Sequence, residues 1–324
     1  MTKTLSDFEQ IIDADFEFIS RPGERPDVVC LAWREWPSGQ THCLWRDQLG
    51  ATPPYRTDDC VLFRSFVFNA EGTSHLSLDW PLPANVIDLS AEFRLHVNGR
   101  TAPDGKGLLG ALAFFNLPRI DTKQKEAMRD RIQRGWPFTG EEREQIKRYA
   151  VSDIDSLSQL SAKLVTDDNL ERALHYGEFV AGLALMEHRG VPIDKDLFSP
   201  LVDKRAWSFV RDAMTPTINA AYGVYIKGAD GDWHFSLELF DNYLRREGML
   251  DYWPLTETGK LSTQHKVFEN MAKGYPQLEN LRQLRYVRGK LRKIKLAVGA
   301  DSRNRTTLWP FKSKTSRTQP KAAQ

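Results

Sequence analysis

The sequence predicts an α/β fold, a mixed β-sheet with helices packed on it, followed by a mainly α-helical region. Strand-like runs crowd the first hundred residues. Amphipathic helical runs follow, and from about Val165 the apolar residues recur mostly at helical spacing. The chain has 324 residues, 41% hydrophobic and 27% charged, which is ordinary for a soluble globular protein with room for two domains. No apolar run is long enough to cross a bilayer. The polar, acidic start MTKTLSDFEQ does not read as a secretory signal, so a cytoplasmic location and no membrane partner are expected. Cys30, Cys43 and Cys60 are few and odd in number. They read as reduced residues, not as a disulfide framework or a zinc site.

The first strand is IIDADFEFIS, residues 11–20. Asp13, Asp15 and Glu17 alternate with Ile12, Ala14, Phe16 and Phe18, which gives one apolar and one carboxylate face. VVCLAWREW (28–36) and THCLWRD (41–47) flank Pro-Ser-Gly and predict a hairpin. VLFRSFVFN (61–69) and ANVIDLSAEFRLHVNG (84–99) continue the strand pattern. Helices are expected over 107–117, 122–135, 139–164, 169–190 and 277–296. The third opens on Thr139 with Glu141 and Glu142 behind it, a capping signature.

Charge is unevenly spread. Of 45 basic and 43 acidic residues, 13 and 1 lie in 281–324, which leaves 32 and 42 for 1–280. An acidic body with a basic C-terminal segment suggests a polyanion partner met by that segment. Arg285, Arg288, Arg292 and Lys295 form a stripe beside the apolar Leu281, Leu284, Val287, Leu291 and Ile294. The alternative is a solvated charged helix face. Residues 312–324 lack core residues and read as a solvated basic tail.

Three like charges on one strand face repel each other unless a cation neutralises them, and oxygen ligands suit hard ions such as Mg²⁺ or Mn²⁺. For Asp15 and Glu17 alone, a solvated sheet face is the favoured reading. Asp88 lies where an apolar run turns into a helix start, a place where Asp commonly caps. Tyr149 and Asp153, in YAVSD, share one helix face at i, i+4 and could be a surface pair. No Gly-rich phosphate loop precedes a Lys-Ser or Lys-Thr pair, and no paired His spacing suits zinc.

Together the three segments resemble the exonuclease motifs of the family A DNA polymerases, the bacterial DNA polymerase I type. Asp15-Phe16-Glu17 matches the Asp-x-Glu of the first motif, Asp88 in NVIDLSAEFR the Asp of the second, and Tyr149 with Asp153 the Tyr-x-x-x-Asp of the third. Many relatives carry an Asn four residues before the second-motif Asp. This chain has Ala84 there and Asn85 one place on. Asp13 competes with Asp15 as the first-motif acid. HYGEFVAGLALMEHRGVPID (175–194) resembles the helix that begins the polymerase portion, and the segment from Leu281 resembles the thumb helix and the start of the palm. Thr315-Ser316-Arg317 stands where relatives have Thr-Gly-Arg. The palm carboxylates and fingers helix are not found, so no polymerase activity is expected from this chain alone.

The resemblance implies a ribonuclease H-like 3′–5′ exonuclease domain over 1–164, a polymerase thumb-like helical region over 165–311 and a basic tail over 312–324. It implies two Mg²⁺ or Mn²⁺ ions held by Asp15, Glu17, Asp88 and Asp153, with Tyr149 orienting the attacking water and no small-molecule cofactor. Single-stranded or frayed DNA is the implied substrate, gripped through phosphates by Arg285, Arg288, Arg292, Lys295, Arg303 and Arg305, with Lys312, Lys314 and Arg317 adding to them. A separate polymerase fragment is the second partner it allows. The alternatives are an inactive nucleic-acid-binding remnant and a 3′–5′ exoribonuclease.

Overall fold

Alternation along β1 (Gln10–Ile19) sends its side chains to two faces, and both faces are covered. The computed structural model describes residues 3–98, 100–119, 122–202, 204–293, 296–313 and 315–321, without the side chains of Val202, Arg292 and Lys293. The expected DNA contacts Lys295 and Lys314, and the side chain of Arg292, therefore lie outside the described residues.

β2 (Asp27–Trp36) pairs antiparallel with β1, and β3 (Thr41–Trp45) antiparallel with β2, which is the expected hairpin. β4 (Val61–Ser65) runs parallel to β1 with Asp13 opposite Arg64. The run 61–69 is not one strand, because the chain leaves the sheet after Ser65 and forms α1 (Phe68–Ser77). The run 84–99 likewise divides into β5 (Asn85–Asp88), parallel to β4, and α2 (Leu89–His96). The second division falls at Asp88, where a helix start was expected; in 61–69 periodicity alone did not separate the short buried strand from the buried helix that follows it. The five strands lie in the order β3-β2-β1-β4-β5, a mixed sheet.

After α2 come α3 (Leu108–Phe114), α4 (Thr122–Arg134), α5 (Gly140–Leu164) and α6 (Asp167–Arg189). Thr139 and Glu142 close a reciprocal capping box at the start of α5. One sheet face packs Ile12, Ala14 and Phe16 against Phe68 of α1 and Val180 and Ala184 of α6. The other face, which carries Asp13, Asp15 and Glu17, lies under α5, whose Ile146, Ala150, Ile154 and Leu157 join Cys30, Ala32 and Leu62 in a second core. The carboxylate face is therefore not a solvated one.

Two compact units emerge from the chain, one of residues 1–193 with 296–324, the other of residues 194–295. Their limits differ from the expected change at 164/165, because α6 packs on the sheet. A Cβ on Gly177 would sit 1.7 Å from the carbonyl oxygen of Val86, so only glycine lets α6 lie this close to β5.

Beyond β6 (Val191–Pro192), the second unit holds α7 (Lys195–Val202), α8 (Arg205–Phe209), a π-turn at Val210–Met214 and α9 (Thr215–Tyr222). A small hairpin of β7 (Tyr225–Lys227) and β8 (Trp233–Phe235) leads to α10 (Leu237–Arg246), α11 (His265–Gly274) and α12 (Glu279–Lys293). Phe240, Trp253, Phe268, Leu281 and Leu284 form its core.

Two arginines of the expected stripe, Arg285 and Arg288, are packed into that core. Arg288 is 4% exposed. Its guanidinium donates to Thr215 Oγ1 (2.9 Å), Asp232 Oδ1 (3.1 Å) and the Trp233 carbonyl (2.5 Å), and lies over the Trp207 and Tyr225 rings. Arg285 is held between the Phe235 and Phe268 rings, 4.1 and 4.5 Å from their centroids, and donates to the Thr263 carbonyl. Both side chains give aromatic rings a cation to stack on and satisfy backbone carbonyls, so neither offers a free donor fork to DNA.

Back in the first unit, β9 (Arg303–Asn304) pairs with β6, and β10 (Leu308–Trp309) pairs with β11 (Gln319–Pro320). Arg303 donates to the carbonyls of Arg189 and Gly190. Arg305, 8% exposed, donates to the carbonyls of His188 and Gly23 and grips both oxygens of Asp301. These two arginines pin the returning segment to α6. Arg305 has Nε, NH1 and NH2 all engaged inside the protein, and Arg303 spends its NH1 on the carbonyls of Arg189 and Gly190.

Replacing Arg288 with Gln strips donors from buried acceptors and should lower unfolding stability by about 3 kcal/mol. Urea denaturation monitored by tryptophan fluorescence checks this. A surface phosphate-binding arginine would instead leave stability nearly unchanged.

Candidate metal centre

The acids of β1 are divided by what faces them. Asp13 accepts a two-pronged ion pair from Arg64, with Nε to Oδ1 at 2.7 Å and NH2 to Oδ2 at 2.8 Å. Trp36 Nε1 and Ser158 Oγ also donate to its Oδ2. Asp13 is fully buried and its acceptor capacity is spent inside the protein, which leaves Asp15 and Glu17 as the free carboxylates of the strand.

β4 ends one residue beyond the level of Asp13, so no neighbouring strand continues beside Asp15 and Glu17 on that side. α5 crosses the same region and supplies Asp153. One oxygen each from Asp15, Glu17 and Asp153 can be chosen so that all three lie within 4.8 Å of one another. Asp15 and Glu17 are half-buried and Asp153 is buried. Three carboxylates at this spacing form an all-oxygen donor set that suits a hard divalent cation.

The electrostatics agree with the geometry. Burial pushes the Asp15 carboxyl up to about 7, with the nearby Asp153 charge adding to the rise. Glu17 is pushed well above the ordinary range by burial and by Asp15 and Asp153. Tyr149, one helical turn before Asp153 and 8% exposed, is raised by burial and by Glu17, Asp153 and Asp15. It therefore stays a neutral phenol able to donate a hydrogen bond.

Asp88 lies outside this group. Its Oδ1 accepts from the Ala91 amide (2.8 Å), capping α2, and its Oδ2 from the Phe68 amide (3.0 Å) at the start of α1. Burial pushes it up to about 6 against the pull of these backbone donors. It was expected as a metal ligand, but it is not among the three grouped acids, and each of its oxygens accepts a helix-start amide. The capping alternative fits instead.

Two residues near the group, Glu71 and Lys125, were not singled out in the sequence. Glu71, on α1, is 3% exposed, and its Oε2 has no hydrogen-bond partner among the described residues. Burial and the Asp15 charge push it well above the ordinary carboxylate range, and it in turn raises Glu17. Glu71 lies outside the three acids whose oxygens come within 4.8 Å of one another, but its buried, open oxygen and its electrostatic interaction with Asp15 and Glu17 make it a candidate for a further ligand. The second residue is Lys125 of α4, whose Nζ lies 2.7 Å from Asp153 Oδ2 and 5.5 Å from the centre of the Tyr149 ring. It shares a helix face with Met128 and Ile132, a spacing that would have marked it as inward-facing.

The fold and the site thus define an α/β protein with a mixed five-stranded sheet and a candidate divalent-metal centre made of carboxylates. No protein-family profile and no curated protein matches the chain. Among solved structures it is similar to the POL domain of Pol1 from M. smegmatis, determined in complex with DNA primer-template and dNTP. The TM-score is 0.57 at 18% sequence identity, over 96% of this chain and 51% of that one. The chain therefore spans about half the length of the polymerase domain it resembles, and the likeness is one of fold.

The raised carboxyl groups make metal-free stability depend on pH. Asp15 titrates near 7 in the folded chain and about 3.9 when unfolded, so the folded chain holds more protons between those values. Stability in a chelator should fall as pH rises from about 4 through 7, and Mn²⁺ should remove the fall by neutralising the carboxylates. Thermal melts across that range, with EDTA or Mn²⁺, check this, with Asp15→Asn as the control that flattens the EDTA curve. An EDTA curve equally steep in wild type and control would contradict it.

Proposed function

We propose that this chain is a divalent-metal-dependent 3′–5′ exonuclease that hydrolyses the terminal phosphodiester of single-stranded or frayed DNA. The observation that carries the reading is the convergence of Asp15, Glu17 and Asp153, with Tyr149 beside them, from segments more than a hundred residues apart. Such a set of buried, mutually repelling acids stabilises nothing by itself. It becomes favourable when cations bind. The similarity of the fold to a DNA polymerase domain supports nucleic acid as the substrate class, and DNA in preference to RNA.

Bound by Asp15, Glu17 and Asp153, with Glu71 as a further ligand, two Mg²⁺ or Mn²⁺ ions would supply an activated water and charge stabilisation at the departing 3′ oxygen. Tyr149, held neutral, would donate to the attacking water and fix its direction. Asp88 contributes indirectly by fixing the starts of α1 and α2. The inward engagement of Arg285, Arg288 and Arg305 favours the exonuclease reading over the binding-remnant alternative. A separate polymerase fragment as partner belongs to this reading too, since nucleotide incorporation is not assigned to these residues.

The test is incubation of 5′-labelled single-stranded DNA and RNA with Mg²⁺ or Mn²⁺ and a chelator control. DNA should shorten stepwise from its 3′ end only with the ion. Asp15→Ala with Glu17→Ala should lower turnover at least about a hundredfold while the circular dichroism spectrum is kept. Wild-type turnover in the double variant would sink the assignment.

The two remaining acids should separate by readout. Glu71→Gln should lower turnover with little loss of stability, because it removes a ligand charge and relieves repulsion. Asp88→Asn should lower stability by about 1–3 kcal/mol, because an amide offers one acceptor oxygen to two buried N–H groups. The opposite pattern would return Asp88 to the site.

A further inference from the structure

We propose that Lys125 is the resident cation of the carboxylate group, and that a divalent ion enters by displacing its ammonium from Asp153. The inference rests on reading Asp15, Glu17 and Asp153 as a metal site, and it adds how that site is held together and regulated before an ion arrives.

Four observations carry it. Lys125 Nζ bonds Asp153 Oδ2 at 2.7 Å, and Asp153 is one of the three grouped ligands. The lysine side chain is only 17% exposed, far less than is usual for lysine, and the Asp153 side chain is 7% exposed. The Lys125 charge also counteracts the rise of both Asp15 and Glu17, so it acts on the whole group and not on one partner. Lys125 occupies the inward face of α4 in line with Met128 and Ile132, whereas Lys123 and Arg129 of the same helix are exposed. A lysine on an otherwise apolar helix face costs burial free energy unless a charge awaits it.

Two positive groups cannot share one carboxylate oxygen at close range without strong repulsion. A divalent ion bound between Asp153 and the β1 acids therefore competes with the ammonium. The four-carbon stem of lysine is flexible, so the head can withdraw without moving α4. In the ion-free chain the ammonium keeps the acids from repelling one another apart. In the loaded chain it is released next to a centre that is proposed to meet a phosphodiester, an anion that it can pair with.

The experiment is a Mn²⁺ titration followed by electron paramagnetic resonance, without nucleic acid, on wild type, Lys125→Met and Lys125→Arg. Lys125→Met should bind Mn²⁺ about tenfold more tightly, because a competing charge is gone. Lys125→Arg should stay within about twofold of wild type, because the charge is kept. The melting temperature of Lys125→Met should fall in EDTA and recover with Mn²⁺. On the wild-type protein, amine-reactive labelling of Lys125, read by mass spectrometry, should rise several-fold when Mn²⁺ is added.

Labelling that does not respond to Mn²⁺ would overturn the proposal, whether or not Lys125→Met folds. So would a folded Lys125→Met with unchanged or weaker Mn²⁺ binding. These outcomes are independent of turnover. A wild-type chain that binds Mn²⁺ in competition with Lys125 but cleaves no nucleic acid would refute the exonuclease reading and leave this inference standing.

Discussion

The arrangement of the first unit depends on repulsion among buried carboxylates. Asp13, Asp15 and Glu17 alternate on one face of β1, and α5 closes over that face instead of leaving it to water. Each acid must then be neutralised locally or remain protonated. Asp13 is neutralised by Arg64 from the adjacent parallel strand, reinforced by Trp36 and Ser158. Asp15 and Glu17 have no arginine opposite them, because β4 has already ended. Their charge is met by Lys125 and left open to a cation. The short β4 therefore marks where a structural ion pair gives way to a candidate metal centre.

The basic C-terminal segment illustrates a different balance. Its arginines looked like a phosphate-binding stripe because they recur at helical spacing. The guanidinium group is also the cation best suited to interior use, since it stacks on aromatic rings and satisfies several carbonyls at once. In α12 the rings of Phe235, Phe268, Trp207 and Tyr225 take Arg285 and Arg288 inward. Beyond it, Arg303 and Arg305 reach the carbonyls at the end of α6, which a helix terminus leaves short of donors. Net positive charge in that segment thus does not measure positive charge offered to a partner.

Much of the architecture was legible from periodicity. The β1 alternation, the β2–β3 hairpin and the capping box of α5 each follow from residues within a few positions of one another. The shared helix face of Tyr149 and Asp153 is equally local. Asp15, Glu17 and Asp153 could be singled out only as a set, because with Tyr149 they resemble the exonuclease motifs of the family A DNA polymerases, whereas the β1 pattern alone also fits a solvated strand face. The boundary inside 84–99 was marked by Asp88, the residue that caps α2, but the strand–helix boundary inside 61–69 was not legible. There the chain is buried on both sides, and apolar residues run on without a change of period.

What the sequence alone determined is the set of faces, meaning which residues of β1, α5 and α12 point the same way, because that depends only on local geometry. What the tertiary structure decided is which acid meets which cation. Asp13 and Asp15 are chemically identical and two residues apart, yet one faces Arg64 and the other Lys125 and Asp153. Asp88 and Glu71 were separable only once β5 and α1 were packed side by side. Two helix-start amides then took both oxygens of Asp88 and left one oxygen of Glu71 open. Electrostatic pairing is set by distances across the fold, and no spacing along the chain encodes them.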